Sequence, residues 1–493
     1  MYSFLNLSLI AVSAFLVIRQ IDRARRRQAS LPPGPKGLPI LGNIRDIANR
    51  QDYLWITYSQ WAQRFGNVFR LNIFGVPTII LNSHEAITEI LDKRSQNYSD
   101  RPGELFDQSQ CSRLLTSVSR YAYGQPAWGN VAICLLHRKT FHQAFQPLDL
   151  PRYYDIQREG VNEVVRKLTT APDAYIDHIN HFAGSTVLKV IYGYTLKTEN
   201  DPYIEMLYKA VDGLGPAMDH GAFWIDYLPI LKYVPAWLPG ASFKRNAKKW
   251  YQDTKELKEK PWEWVQQGEA AGIAASSFCT ETAERLGITM GEGSEMEDMI
   301  KNCAFSAYIA GPETTVSALL TFILAMTLHP EVQVRAQEEI ESVVGPGGVP
   351  DFNDRDSLPY MNAIISEVLR WRPVLPLSVA HRAVNDDVYA GYHIPAGATV
   401  VGNVWSIMHD ENLYGPDVAK FNPDRFMRPD GKNPPFPDQA FGFGRRVCPG
   451  QDFAMNSLYL LMSTILASYT IAKPLDANGK EYDPEVKYTD NAT

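Results

Sequence analysis

Phe441-Gly442-Phe443-Gly444-Arg445-Arg446-Val447-Cys448-Pro449-Gly450 is the stretch on which the reading of this chain turns. Gly442 and Gly444 let the backbone turn tightly and approach a flat ligand closely, which side chains would prevent. An apolar run behind the loop, Phe453 to Leu466, reads as a helix. Pro449 suits the first turn of that helix, where a missing N–H costs nothing. Cys448 is therefore expected at a helix N-terminus, where unpaired N–H groups and the dipole favour a thiolate.

A thiolate held this way is a good axial ligand for haem iron, and its electron push favours O–O cleavage. Arg446, two residues earlier, is placed to pair with a haem propionate. A lone cysteine would read as a buried thiol in a loop, but here the whole pattern decides. The decapeptide resembles the cysteine-ligand loop of the cytochrome P450 family, Phe-x-x-Gly-x-Arg-x-Cys-x-Gly, at every fixed position. The resemblance implies haem b as cofactor, with Cys448 on the iron and Phe441, Gly442 and Arg446 against the macrocycle.

Upstream, Ala310-Gly311-Pro312-Glu313-Thr314-Thr315 sits inside a long apolar run, Ile300–Leu328. A proline in mid-helix removes one hydrogen bond and clashes with the carbonyl of Tyr308, so the helix is expected to kink or open there. An acid and a hydroxyl beside such an opening suit dioxygen activation. Thr314 would hold dioxygen by a hydrogen bond, and Glu313 would relay protons from solvent. The stretch resembles the family's oxygen-activating motif, Ala/Gly-Gly-x-Asp/Glu-Thr-Thr, with Pro312 an unusual residue at the variable position.

Glu367 and Arg370 stand three apart in Met361–Trp371 and share a helix face. Alone, they would read as a surface ion pair. With Arg425, in Phe421-Asn422-Pro423-Asp424-Arg425-Phe426, they resemble the family's Glu-Arg-Arg cluster, which is structural: a buried carboxylate between two guanidiniums. Between these motifs lies Pro373 to Arg382. The resemblance implies that Val374 to Val379 line the substrate pocket and that His381 reaches a haem propionate, with Ala380 where a proline is frequent.

The segment Tyr121–Phe145 is expected, by resemblance, to carry a helix across one haem edge, with Arg138 a propionate partner. The family's spacing sets a tryptophan four residues before the arginine. Here Trp128 and Arg138 are ten apart, which reads as an insertion over Gly129–Cys134 or an error in the gene model. Leu231 to Ala241, rich in proline and aromatics, resembles the loop between two roof helices in basidiomycete secondary-metabolite oxygenases and would suit a lid leaning on a membrane. Relatives usually continue further beyond the cysteine loop, through a hairpin that touches substrate, so a truncated C-terminus is expected.

At the other end, Tyr2 to Ile18 is uncharged and mostly apolar, at the lower limit for a bilayer-spanning helix. Arg19, Arg23, Arg25, Arg26 and Arg27 follow, which favours an anchor with the rest of the chain cytosolic over a cleaved signal peptide. In that orientation the sequons at Asn6, Asn97 and Asn491 go unused. Leu31 to Pro39 reads as a stiff, extended spacer and resembles the family's proline-rich hinge. The expected organisation is thus an anchor over 1–18, a basic segment and hinge over 19–37, and one catalytic domain over 38–493.

Composition excludes little but points the same way. Apolar residues at 45% and charged residues at 21% describe an ordinary globular chain with ample core. A net charge of −7, with no basic block outside the N-terminus, argues against a nucleic-acid partner. The five cysteines are scattered without a CxxC pair, so neither a disulfide framework nor a zinc site is suggested. Early alternating strands, Asn67–Ile73 and Pro77–Leu81, precede helical patterns such as Glu159–Leu168, Ile300–Leu328 and Pro330–Val343.

The expected fold class is mainly α with a small β-sheet (α+β): the cytochrome P450 fold with an N-terminal transmembrane anchor in the endoplasmic reticulum. The implied activity is that of a haem-thiolate monooxygenase, inserting one atom of dioxygen into a small hydrophobic substrate of fungal secondary metabolism: terpenoid, indole or polyketide. Electrons would come from NADPH through a separate cytochrome reductase, because nothing here resembles a flavin or nicotinamide site. A haem-thiolate isomerase or dehydratase is a second reading, against which the intact Glu313-Thr314 pair argues. A non-catalytic or degenerate haem-binding protein is a third, favoured by the displaced Trp128 and short C-terminus.

Overall fold

Two alternating segments pair first, because only a two-residue turn separates them. Strands β1 (Val68–Ile73) and β2 (Val76–Leu81) run antiparallel with Ile73 opposite Val76. The turn residues Phe74 and Gly75 both have positive φ, which matches the twist of a tight hairpin. The computed structural model describes residues 31–102, 131–197, 201–218, 231, 233–476, 478–484 and 486. The anchor expected over 1–18, Trp128 and the last seven residues lie outside these.

The chain divides into two compact units. The smaller comprises Met1–Pro102, Leu377–Ser406 and Phe443–Arg445. In it, helix α1 (Leu54–Phe65) lays Tyr58 against Phe69 of β1, and Leu71 and Ile80 complete that small core. Strand β2 continues the sheet by parallel pairing with β6 (Thr399–Gly402), and β6 pairs antiparallel with β3 (His381–Arg382), giving the order β1-β2-β6-β3. The central position of β2 explains why Thr78 to Leu81 are all buried. A separate hairpin joins β4 (Asp387–Tyr389) to β5 (Tyr392–Ile394).

The larger unit comprises Gly103–Pro376, Ile407–Gly442 and Arg446–Thr493 and is helical. Its elements include α2 (Val131–Phe145), α3 (Tyr154–Thr170), α4 (Tyr175–Tyr192), α5 (Pro202–Met218), α6 (Ser242–Ala270) and α7 (Phe278–Leu286). They continue with α8 (Glu295–Leu328), α9 (Pro330–Val344), α10 (Pro359–Trp371) and, behind the cysteine loop, α11 (Gln451–Ser468). The periodic segments read from sequence therefore fall on α3, α8 and α9. Helix α8 is buried on most of its circumference and its neighbours form the core around it. Among the described residues it is the one helix long and apolar enough to cross a membrane, but half of that window is buried, as in a core helix.

Start and end signals position α8. Ser294 caps it by accepting from the Glu297 N–H, and Glu295, Glu297 and Asp298 complement the dipole of the first turn. The buried Glu297 carboxylate also accepts from the N–H groups of Gly291 at 2.9 Å and Gly293 at 2.8 Å, from Gln266 Nε2 at 2.7 Å and from Trp262 Nε1 at 3.3 Å. It thereby ties the start of α8 to α6. Halfway along, Gly311 meets α4 so closely that a Cβ there would lie 3.3 Å from Val187 Cγ2. The helix continues through Pro312 without a break. Regular turns on both sides and the packing against α4 hold the segment helical despite the missing donor.

Candidate active site

The cysteine loop leaves a single helical turn, Asp438–Phe441, through Gly442 at φ +91°. Gly444 follows at φ +49°, where a Cβ would fall 2.5 Å from the Leu91 carbonyl oxygen and 2.8 Å from Ser95 Cβ, so only glycine fits. Its N–H donates to Asp92 Oδ1 at 2.5 Å. In the larger unit the loop closes on itself: the Cys448 N–H donates to the Phe441 carbonyl at 2.7 Å. Phe441 packs on the main core cluster, which fixes the far end of that bond.

Cys448 lies before the N-cap of α11, Gly450, and Pro449 stands ahead of the helix rather than in its first turn. The thiol is exposed, yet protein surrounds it closely enough that burial acts on its acidity. Burial pushes it above the ordinary thiol value, against the Gly450 N–H and the nearby Arg138 charge, which pull it down. The polypeptide favours the neutral thiol, and a coordinated metal ion is what would deprotonate it.

Arg138, on α2, reaches the loop directly: its Nη2 donates to the Val447 carbonyl at 2.9 Å. The sequence reading had it as a propionate partner; in the structure one arm of its guanidinium braces the peptide before the cysteine. Arg446 is half-buried between Arg445 and Val447. Cys448, Phe441, Gly442, Arg446 and Arg138 thus belong to one unit. His381 belongs to the other, where β3 sets it opposite Val400.

His381 is 3% exposed, and its Nδ1 lies 2.6 Å from the Tyr98 carbonyl. Because a carbonyl only accepts, Nδ1 carries the proton. Its ring packs against Phe443. Arg101, which sequence reasoning passed over, is as deeply buried and donates to the carbonyls of Val379 at 2.5 Å and Ala380 at 2.9 Å. Beside it, Asp100 pairs with Arg382 at 3.6 Å, and the Arg382 N–H donates to the Asp100 carbonyl. The Asp-Arg-Pro stretch therefore grips the chain on both sides of His381. Its only sequence signal was a charged pair ahead of a proline.

On α8, Ala310 is exposed although Tyr308 and Ile309 beside it are buried, so one narrow stripe of this core helix faces open space. Thr314, one turn on, shares that stripe. Its hydroxyl donates to the Ala310 carbonyl at 3.0 Å, with the Gly311 carbonyl at 3.3 Å, and retains its lone pairs for an incoming donor. Glu313 is half-buried, and burial first, then the like charge of Asp212 on α5, hold its carboxyl above the ordinary value.

The structural cluster assembles as its spacing suggested. Glu367 and Arg370 are both fully buried and joined at 2.6 and 2.8 Å, and Arg425 Nε reaches the same carboxylate at 3.0 Å. Of the roof loop, Tyr233 and Trp237 are described and are 73% and 78% exposed.

An exposed cysteine in a glycine-hinged loop, backed by an arginine and followed by a buried helix, suits a haem-thiolate protein. The cytochrome P450 family model matches residues 32–487. A cytochrome P450 monooxygenase of Armillaria gallica is 38% identical over 486 residues, covering 97% of this chain and 92% of its own. The tryptamine 4-monooxygenase of Psilocybe cyanescens is 35% identical over 478 residues, with 94% and 91% covered. A cytochrome P450 monooxygenase of Rhodocybe pseudopiperita is 37% identical over 478 residues, with 95% and 88% covered. The chain belongs to the cytochrome P450 family. It is a monooxygenase of the fungal secondary-metabolism type, and the family's cofactor is haem held by a cysteine thiolate.

Proposed function

We propose that Cys448 is the axial ligand of the haem iron and that the stripe of α8 through Ala310 and Thr314 is the oxygen-handling wall. The observation that carries this reading is an exposed thiol held in a loop shaped by two glycines of positive φ. The residues fit the group: a flat macrocycle needs close backbone approach, which Gly442 and Gly444 allow, and a ligand sulfur that solvent-sized space can reach. When bound, haem supplies the oxidising centre that places one oxygen atom into a C–H bond.

The chain's own residues then have separable tasks. Arg138 braces the Val447 peptide and contributes positive charge beside the sulfur, which favours the thiolate. Arg446 supplies a cation for a propionate, and His381 would serve another only by donating from a protonated Nε2, since a carboxylate accepts. Glu313 stays protonated to higher pH than an ordinary carboxylic acid and passes protons inward. Thr314 accepts a hydrogen bond from the water that carries them, while its own proton stays on the Ala310 carbonyl.

The substrate is a small hydrophobic molecule, with Val374 to Val379 among the pocket-lining residues. A relative named for tryptamine supports an indole scaffold, with terpenoid and polyketide scaffolds beside it. The anchor over 1–18 places the protein in the endoplasmic reticulum membrane with its catalytic part cytosolic, beside the NADPH-dependent reductase. Reconstitution with a reductase, NADPH and a panel of such scaffolds tests the reading. Substrate-dependent oxygen uptake with one labelled oxygen atom in the product is expected, and a product formed without label from dioxygen would overturn it.

A further inference from the structure

Two consecutive residues of the cysteine loop, Phe443 and Gly444, belong to the smaller unit, and two contacts fasten them there. Phe443 is 2% exposed and fills a socket in which Gly402 of β6 has no side chain. A Cβ on Gly402 would lie 3.1 Å from Phe443 Cε2, 3.3 Å from Ile87 Cδ1 and 3.4 Å from Leu91 Cδ1. The His381 ring lies on another side of Phe443, with centroids 6.5 Å apart. Gly444 rests against the chain between Leu91 and Ser95 and donates its N–H to Asp92 Oδ1 at 2.5 Å. Phe443 stands at a variable position of the family's loop pattern and Asp92 lies outside it, so the motif by itself does not specify this seat.

The segment that carries Asp92 has an uncommon backbone. Thr88–Lys93 is a π-helical stretch continuing the short helix His84–Ile87, and the Arg94 N–H closes its last wide turn on the Glu89 carbonyl at 3.2 Å. Such turns are rare and occur frequently at functional sites. Here the stretch delivers Leu91 to the Phe443 socket and Asp92, the next residue, to the Gly444 N–H. Arg94 is tied to Glu89 at 3.0 Å and to Asp387 of β4 at 3.0 Å, which fixes the end of the stretch. Asp92 is half-buried, so water competes only in part for its carboxylate.

We propose that Asp92 is a positioning residue for the monooxygenase reaction: by accepting from Gly444, its carboxylate holds the loop in the shape that presents Cys448 to haem iron. The inference rests on the reading of Cys448 as the ligand. Gly444 is a left-handed hinge at φ +49°, four residues before Cys448, and a hinge without a side chain has no packing of its own to hold it. A bond from an N–H to a carboxylate is among the stronger hydrogen bonds, and it supplies the restraint that glycine gives up. The Phe443 plug fixes where the loop sits; Asp92 fixes how the peptide between residues 443 and 444 is turned. The task needs an acceptor at that point rather than a charge, so asparagine can perform it and alanine cannot.

Heating the reduced, carbon-monoxide-bound haem protein while following its Soret band and its far-ultraviolet circular dichroism tests this. At a temperature where the dichroism is still native, the ratio of thiolate-type to neutral-ligand band is expected to fall about tenfold or more in Asp92→Ala, the equivalent of one hydrogen bond to a charged group. Asp92→Asn should keep the parent ratio. If Asp92→Ala does not load haem, Asp92→Glu, which keeps the charge and moves the acceptor by one methylene, replaces it with the same expected loss. A residue that only stabilises the fold would lower both melts together. That outcome, an unchanged ratio in the alanine or glutamate variant, or an asparagine variant that behaves like alanine would overturn the role of Asp92 while leaving Cys448 as the ligand. A wild type without the thiolate-type band would instead overturn the reading of Cys448, and this inference with it.

Discussion

Replacing Glu367 by glutamine is expected to cost about 3–5 kcal/mol of folding stability, the usual result of stripping one partner from a buried ion pair. The carboxylate is fully buried and takes four donors: Arg370 Nε at 2.6 Å, Arg370 Nη2 at 2.8 Å, Arg425 Nε at 3.0 Å and the Asn422 N–H at 2.8 Å. Three of these are charge-assisted, each worth about 1.5–3 kcal/mol. Glutamine keeps one acceptor but turns an NH2 group towards a guanidinium. Other acceptors limit the damage. Arg370 still donates to the carbonyls of Met408 and Val418 at 2.8 and 2.9 Å, and Arg425 to that of Tyr414 at 2.6 Å. The loss should therefore stay within that range rather than sum to the full value of three bonds. Urea unfolding of the haem-loaded protein, followed by circular dichroism and by haem absorbance, measures it as a lower midpoint at constant slope. A loss below about 1 kcal/mol, the value of an exposed pair, would refute the reasoning, because it would mean the cluster is solvated.

Two further outcomes rest on acidity. Glu313 is held above the ordinary carboxylate value by burial and then by Asp212, so its proton-donating form is lost only as pH rises through that raised value. Turnover should fall along that limb, and Glu313→Gln, which cannot titrate, should lose the limb; a variant with an unchanged profile would remove Glu313 from the proton path. Glu297 shifts the other way: burial opposes its charge, but the Gly291 and Gly293 N–H groups, Gln266 and Trp262 outweigh it and hold it below the ordinary value. Its contribution is therefore present above the unfolded carboxylate value and lost as pH falls through the lower folded one. The stability gap between wild type and Glu297→Gln should narrow on acidification, and a gap constant with pH in urea melts would contradict this.

The parts of the site legible in sequence are those whose signal is local. Gly442 and Gly444 announce positive φ, the run behind Cys448 announces α11, and the spacing of Glu367 and Arg370 places both on one face. Tertiary effects were not legible in the same way. His381 takes its place only because β2 and β6, more than three hundred residues apart in the chain, pair in parallel and put β3 alongside. Arg101 carries no motif, and its grip on Val379 and Ala380 exists only in the fold. Arg138 was found, but its bond to the Val447 carbonyl was not, since a side chain's partner across the fold leaves no periodic trace.

The central claim is that Cys448 holds haem iron as a thiolate, and the absorption spectrum of the reduced, carbon-monoxide-bound protein tests it most directly. The account predicts a strongly red-shifted, thiolate-type Soret band in the wild type and its loss in Cys448→Ala. An ordinary neutral-ligand band in the wild type, or a red-shifted band that survives the substitution, would contradict it.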